Sequence, residues 1–292
     1  MLGWRLAISA ILIPALIAIF YVDAHLGVTG FGLLLLCEVL AIRGVWEMAD
    51  LFRDRSKRMQ LPSMFACSGA LVLAGWIPHL RGSEVIDLTP LAICFAFAVM
   101  YLCAHEAIQF REPGTSLETL GSEILIISYT GLLLAITAQL RWVAGSDAGY
   151  LVLGSLLVCT KGGDIGAYSI GRMFGKSKMA PLLSPGKTWA GAVGAIVGAG
   201  LMGWLWLAFA PKWFNPEWTP GAWYFLIFYG CAIGATGLLG DLVESLLKRD
   251  AGKKDSAALF PGFGGLLDLL DSVIYAGPLA LLLWQVLPLA TW

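Results

Sequence analysis

Between Asp241 and Ser272 the chain gathers six acids, Asp241, Glu244, Asp250, Asp255, Asp268 and Asp271, and four bases, Lys248, Arg249, Lys253 and Lys254. The rest of the sequence is overwhelmingly apolar, so charge at this density needs a chemical reason. At helical spacing Asp241, Glu244, Ser245 and Lys248 follow the i, i+3, i+4, i+7 rule and share one face, while Asp268 and Asp271, three residues apart, share another. Two carboxylate faces joined by a loop of glycine and proline can grip a hard cation from both sides. Magnesium takes oxygen ligands, commonly one or two carboxylates together with substrate phosphates, and the neighbouring bases complete a polyphosphate site. The plain alternative is a solvated loop whose lysines keep it on one side of a membrane, and charge alone does not separate the two.

A second constellation precedes it. Lys161-Gly162-Gly163-Asp164 interrupts an apolar run, and an ionisable residue at membrane depth is costly enough to suggest function. Asp164, Tyr168 and Arg172 succeed one another at i, i+4 and i+8 as a polar stripe; an internal Lys161–Asp164 ion pair that only orders the bundle is the alternative. Beyond lies Ser184-Pro185-Gly186-Lys187-Thr188-Trp189. Ser as N-cap and Pro at the first helical position predict a helix opening there, with free amides suited to a phosphate and Lys187 close by. The Gly-Lys-Thr is not the tail of a P-loop, because Pro181 occupies the place of that motif's first glycine and no strand is expected before it.

The elements that must hold these groups are membrane spans. With 292 residues, 58% of them hydrophobic and 13% charged, and a mean hydropathy of +0.78, the chain exceeds what one soluble core buries. The formal net charge of -1, with no basic cluster interleaved with aromatics, gives no nucleic-acid reading. Six cysteines lie in or beside apolar runs without a Cys-x-x-Cys pair, and read as small buried hydrophobes. Apolar runs predict nine helices near 6–22, 30–48, 63–79, 88–108, 122–140, 147–171, 188–210, 222–247 and 271–289. The first is read as a retained span, because its length and the residues after it make a poor cleavable leader. The second is interrupted by Glu38, Arg43 and Glu47, which fits an amphipathic helix facing the bundle interior as well as a contribution to a site.

Basic residues concentrate in the even-numbered loops, including Arg53, Arg55, Lys57 and Arg58 in the second and Arg172, Lys176, Lys178 and Lys187 in the sixth. The positive-inside rule then predicts a cytoplasmic N-terminus, with Trp76, Trp142, Trp213, Trp218, Trp223 and Trp292 near the far interface. Gly194 and Gly198, within a run of small residues, predict a close-packing helix face. No linker, low-complexity segment or repeat divides the sequence, so it reads as a single domain over 1–292. The histidines His25, His79 and His105 are scattered, and only His105, beside Glu106, has a case for touching the site.

The spacing of Ser245, Lys248-Arg249, Lys254-Asp255, Pro261, Gly264-Gly265, Asp268 and Asp271 resembles the signature of phosphatidate cytidylyltransferases, also called CDP-diacylglycerol synthases. Asp164-Ile165-Gly166-Ala167-Tyr168, Gly171-Arg172, Phe174-Gly175-Lys176 and Ser184-Pro185-Gly186-Lys187-Thr188-Trp189 resemble a second stretch of that family. Three positions depart: Phe263 and Leu269 stand where the family pattern has His and Arg, and Ala190 where Glu is common. The resemblance covers residues 160–275 well and the first 150 only in the number and kind of spans.

It implies an all-α polytopic membrane enzyme that joins CTP and phosphatidate, with membrane lipid around it and a homodimer left open. Asp241, Asp268 and Asp271 would hold magnesium, with a second cation also open. Lys248, Arg249, Lys187 and Ser184 would hold phosphates, Asp164 would line the cavity where the substrates meet, and Thr188, Ser245, Lys254, Asp255 and Arg172 would complete substrate binding. The implied place is the cell inner membrane with the site facing the cytoplasm. The residues alone also fit a CTP-dependent lipid-alcohol kinase, a cytidylyltransferase for another lipid phosphate, or a transporter with Lys161–Asp164 as a midplane coupling site.

Overall fold

The computed structural model describes residues 2–53, 58–111, 113–145, 148–253, 256–257 and 264–291, with side chains from residue 10 onward. Arg55, Lys57, Lys254, Asp255, Pro261, Phe263 and Trp292, all used above, lie outside the described residues. The fold is all-α. Its helices are α1 (Leu2–His25), α2 (Phe31–Phe52), α3 (Leu61–Leu80), α4 (Thr89–Gln109) and α5 (Ser116–Ile127), which runs on through a π-helical turn at Ser128–Leu133 into α6 (Leu134–Ala138) and a 3-10 turn at Gln139–Trp142. Then follow α7 (Gly149–Phe174), α8 (Trp189–Phe209), the single turn α9 (Pro211–Phe214), α10 (Trp223–Asp250) and α11 (Leu267–Val286).

Each of the nine apolar runs falls on a helix or on the composite α5–α6 rod. Among the described residues six helical segments are long and apolar enough to cross a membrane: Leu61–Leu80, Thr89–Gln109, Ser116–Trp142, Trp189–Phe214, Trp223–Asp250 and Leu267–Val286. α2 and α7 fall outside that set because Glu38, Arg43 and Glu47 in one, and Lys161 and Asp164 with several glycines in the other, dilute the apolar run.

The opening expected at Ser184-Pro185 is corrected. Ser184–Thr188 forms strand β2, paired antiparallel with β1 (Lys178–Ala180) in the register Lys178↔Thr188 and Ala180↔Ser184. Helix α8 begins at Trp189 instead, and Thr188 is its N-cap, its Oγ1 accepting from Gly191 N at 3.1 Å. A hydroxyl immediately before the apolar run prevailed over the Ser-Pro pair, whose residues are held in the hairpin ladder.

The chain divides into two compact units, residues 1–138 with 247–269, and residues 139–246 with 270–292. In the first, α2 and α3 pack together and against the π-helical turn, where Ser68 Oγ and Thr130 Oγ1 are 3.0 Å apart. Asp23 on α1 is buried and its Oδ1 accepts from Gly32 N at 2.5 Å and Leu33 N at 3.2 Å, capping α2 from a neighbouring helix. In the second unit α7 and α8 lie against each other through glycines. A Cβ on Gly166 would fall 2.2 Å from Gly194 O, and one on Gly198 would fall 2.6 Å from Gly162 O. Gly194 and Gly198 therefore form the close-packing face expected of them. Buried Tyr229 shares the Ser155 hydroxyl with Trp284: its Oη lies 2.7 Å from Ser155 Oγ, and Trp284 Nε1 donates to that oxygen at 3.1 Å. A short antiparallel pair, β3 (Thr219–Pro220) with β4 (Ala290–Thr291), closes this unit at one end.

Candidate cation and phosphate site

In the second unit α7, α8, α10 and the β1–β2 hairpin enclose a cavity of about 360 Å³, within the ~300–1,000 Å³ usual for small-ligand sites. Its polar lining comes from Asp164, Tyr168, Arg172, Lys187, Thr188 and Asp241. The stripe predicted on α7 is therefore brought to Lys187 and Asp241, more than seventy residues away along the chain for the latter. Lys161 Nζ donates to Asp164 Oδ2 at 3.0 Å, and Arg172 Nη1 donates to Tyr168 Oη at 2.8 Å. Lys161 and Asp164 are about half exposed, so the pair is not a sealed core contact, and Asp164 lines the cavity. The hairpin delivers Lys187, whose Nζ stands 2.8 Å from Asp241 Oδ2.

Beside Asp241, Glu244 and Asp271 complete a group of carboxylates whose oxygens lie within 4.8 Å of one another. Opposite ligands of an octahedral magnesium ion at ~2.1 Å are ~4.2 Å apart, so one oxygen from each carboxylate, within 4.8 Å of the others, is near the spacing that a small divalent cation would draw together. Glu244 and Asp271 are buried, and like charges packed this closely out of water favour a positive ion among them. The two helices that carry them approach closely at Gly240, where a Cβ would meet Tyr275 Cβ at 2.6 Å and Asp271 O at 3.0 Å. Glycine at that position lets the helices that carry Asp241 and Asp271 approach this closely.

Asp268, Lys248 and Arg249 belong to the first unit. Lys248 Nζ donates to Asp268 Oδ1 at 2.5 Å, and Asp268 Oδ2 accepts from Ser256 Oγ at 2.7 Å, Ser256 N at 3.1 Å and Gly265 N at 2.7 Å. Asp268 thus ties Ser256 to Gly265 just ahead of α11. Arg249 Nη1 donates to Lys253 O at 3.2 Å, and Lys253 Nζ donates to Asp50 Oδ2 at 2.7 Å. The Gly264-Gly265 pair is also accounted for. Gly264 has a φ of +93°, and a Cβ there would meet Asp268 Oδ2 at 2.4 Å; a Cβ on Gly265 would meet Ser256 Oγ at 2.1 Å and Glu47 Oε2 at 2.4 Å.

Ser245 is buried on α10, and Ser184 sits on β2 at the turn end of the hairpin. The sequence reading placed Glu244 on the face of Asp241 without counting it as a ligand. Glu47, left open above between the bundle interior and a contribution to a site, lies in the first unit with Asp50 and Ser256, which the sequence did not single out.

Comparison with known proteins gives a consistent result. A family model described as "Cytidylyltransferase family" matches residues 4–287. A Pseudomonas aeruginosa protein named phosphatidate cytidylyltransferase is 30% identical over 285 residues, 97% of either chain. One of the same name from Staphylococcus saprophyticus is 28% identical over 253 residues, 86% of this chain and 88% of its own. A third, from Haemophilus influenzae, is 41% identical over 115 residues, a match spanning 39% of its length.

Proposed function

Because the chain belongs to the cytidylyltransferase family, we propose that it transfers the cytidylyl group of CTP to phosphatidate, giving CDP-diacylglycerol and pyrophosphate. The observation that carries this reading is that Asp241 belongs both to the carboxylate group with Glu244 and Asp271 and, with Lys187 and Asp164, to the lining of one cavity of small-ligand size. A phosphate oxygen of phosphatidate attacks the α-phosphorus of CTP. The bond from that phosphorus to the bridging oxygen breaks, and pyrophosphate leaves with the electron pair. Such a displacement asks little covalent work of the protein and much positioning and neutralisation of charge. Bound at the three carboxylates, magnesium supplies charge neutralisation at the triphosphate. Lys187, released from Asp241 when a phosphate competes for it, binds the triphosphate from the hairpin side. Arg172 and Tyr168 flank the mouth of the cavity on α7, where a guanidinium can take a second phosphate bidentately. Lys248 and Asp268 order the loop into α11, and Arg249 extends from the same end of α10. The excess of basic residues in the even-numbered loops supports a cytoplasmic position for this face of an integral membrane protein.

The test is direct. Purified protein in detergent is given CTP, magnesium and phosphatidate, and pyrophosphate and CDP-diacylglycerol are measured together. Formation of both in equal amounts, dependent on all three additions, is expected. Transfer of a single phosphate with release of CDP would instead identify a CTP-dependent kinase.

A further inference from the structure

The side chain of Glu47 is fully buried on α2, and both its oxygens are engaged at the start of α11. Oε1 accepts from Leu266 N at 2.9 Å and from Arg43 Nε at 2.9 Å; Oε2 accepts from Leu267 N at 3.0 Å and from Ser256 Oγ at 3.2 Å. The first amides of a helix have no partner within it, and a carboxylate is the group that suits their free hydrogens and the positive dipole end. Usually the residue just before the helix supplies this cap. Here that residue is Leu266, whose side chain has no oxygen to offer, and the two before it are Gly264-Gly265; a Cβ on Gly265 would strike Ser256 Oγ and Glu47 Oε2. The local sequence has given up its own cap and admits one from another helix.

We propose that Glu47 is a positioning residue for the cation site, fixing the first turn of α11 and thereby the direction in which Asp271 is presented. The inference rests on the reading that Asp241, Glu244 and Asp271 hold a divalent cation. Asp271 lies four residues beyond Leu267 on one continuous helix, ~6 Å along its axis. A tilt of about 10° at the first turn moves that carboxylate by roughly 1 Å, whereas metal–ligand distances tolerate only ~0.2 Å. Burying a carboxylate beside a single partly exposed arginine is a poor way to gain stability, since apolar packing would serve as well. Two directed bonds to consecutive amides set an orientation that apolar packing does not.

The experiment compares the full-length wild type, Glu47→Gln, Glu47→Ala and Ser256→Ala in detergent, without CTP or lipid. Manganese binding is read by electron paramagnetic resonance, and hydrogen exchange is read in peptides covering 264–271, with peptides from α7 as the internal reference. Glu47→Gln keeps the size but turns an NH2 toward an amide. Both Glu47 variants are expected to bind manganese at least about tenfold more weakly, with several-fold faster exchange at 264–271 and none gained in α7. Faster local exchange with unchanged manganese affinity would make Glu47 merely structural and overturn the proposal, as would no change in either. If the Glu47 variants do not fold, Ser256→Ala decides, because it removes one hydroxyl that touches both Glu47 and Asp268; about threefold weaker manganese binding is expected, and an unchanged affinity overturns the proposal. Weaker binding in variants of a protein that makes no pyrophosphate would keep the positioning role and sink the proposed reaction. Unchanged binding in one that does make pyrophosphate would do the reverse. A wild type that binds no manganese overturns the cation site and the positioning role together.

Discussion

Asp241 differs from Glu244 and Asp271 in being partly open, its side chain 39% exposed, and Lys187 Nζ stands 2.8 Å from its Oδ2. That arrangement suits a carboxylate that gives up its lysine to a substrate phosphate while keeping a metal. Asp241→Asn and Asp271→Asn keep shape and lose charge, so each is expected to lower turnover about a thousandfold, ~4 kcal/mol of transition-state stabilisation, without unfolding. A pyrophosphate assay across a magnesium titration, beside a melting curve in detergent, measures both. Near-normal rates at saturating magnesium would remove the two from the metal site. Lys187→Gln is expected to raise KM for CTP more than tenfold with Asp241 intact, because the hairpin cation meets the triphosphate before the chemistry. Equal KM values would place Lys187 outside nucleotide binding. Leu269 stands between Asp268 and Asp271 where the family pattern carries Arg, and it offers no donor to a phosphate. Leu269→Arg should therefore increase turnover with phosphatidate or lower its KM; a fall in both would show that this chain has rebuilt the position for another lipid phosphate.

Helices carry the site only as precisely as they pack, and here glycines set the packing. Gly240→Ala would drive a methyl into Tyr275 and toward the Asp271 backbone, parting α10 from α11 at the acids. We expect ~1–3 kcal/mol of destabilisation and a several-fold higher magnesium requirement, seen in the same titration and melting curve; a stability loss with no change in magnesium requirement would mean that the acids tolerate the wedge. Helix positions were legible because runs of about twenty apolar residues have few other uses, and Gly194 and Gly198 could be read because small residues four apart can serve only close approach. Asp164 with Asp241 was legible only through the resemblance, since no periodicity brings α7 to α10. Thr188 rather than Ser184 caps α8, a local choice between two hydroxyls, whereas Glu47 at α11 and Asp23 at α2 have a common cause: a side chain from another helix satisfies amides that sequence rules assign to local residues. The glycine pair at 264–265 hinted at this, because it leaves the entry to α11 without a cap of its own.

At the scale of the molecule, the distribution of basic residues among the loops predicts one orientation, which surface labelling can check. Leu182, at the tip of the β1–β2 hairpin, is 91% exposed, and Val85, between α3 and α4, is 72% exposed. Cysteine placed at 182 should react with an impermeant maleimide only from the cytoplasmic face of sealed vesicles, and cysteine at 85 only from the opposite face; labelling of both from one side would refute the orientation. The cap at Asp23 also has a consequence for biogenesis. α1 shows much of its flank outward through Ile11, Ile13, Ile17 and Tyr21, and near its end holds the buried carboxylate of Asp23, whose Oδ1 accepts from the amides of Gly32 and Leu33. While the ribosome has released α1 but not yet α2, that charge has no amides to meet, so the first helix is a reluctant insert alone and a settled one as half of a pair. Insertion should therefore proceed by helical hairpin, with α1 waiting at the translocon for α2, and Asp23→Leu should let α1 enter the bilayer earlier while leaving the start of α2 uncapped.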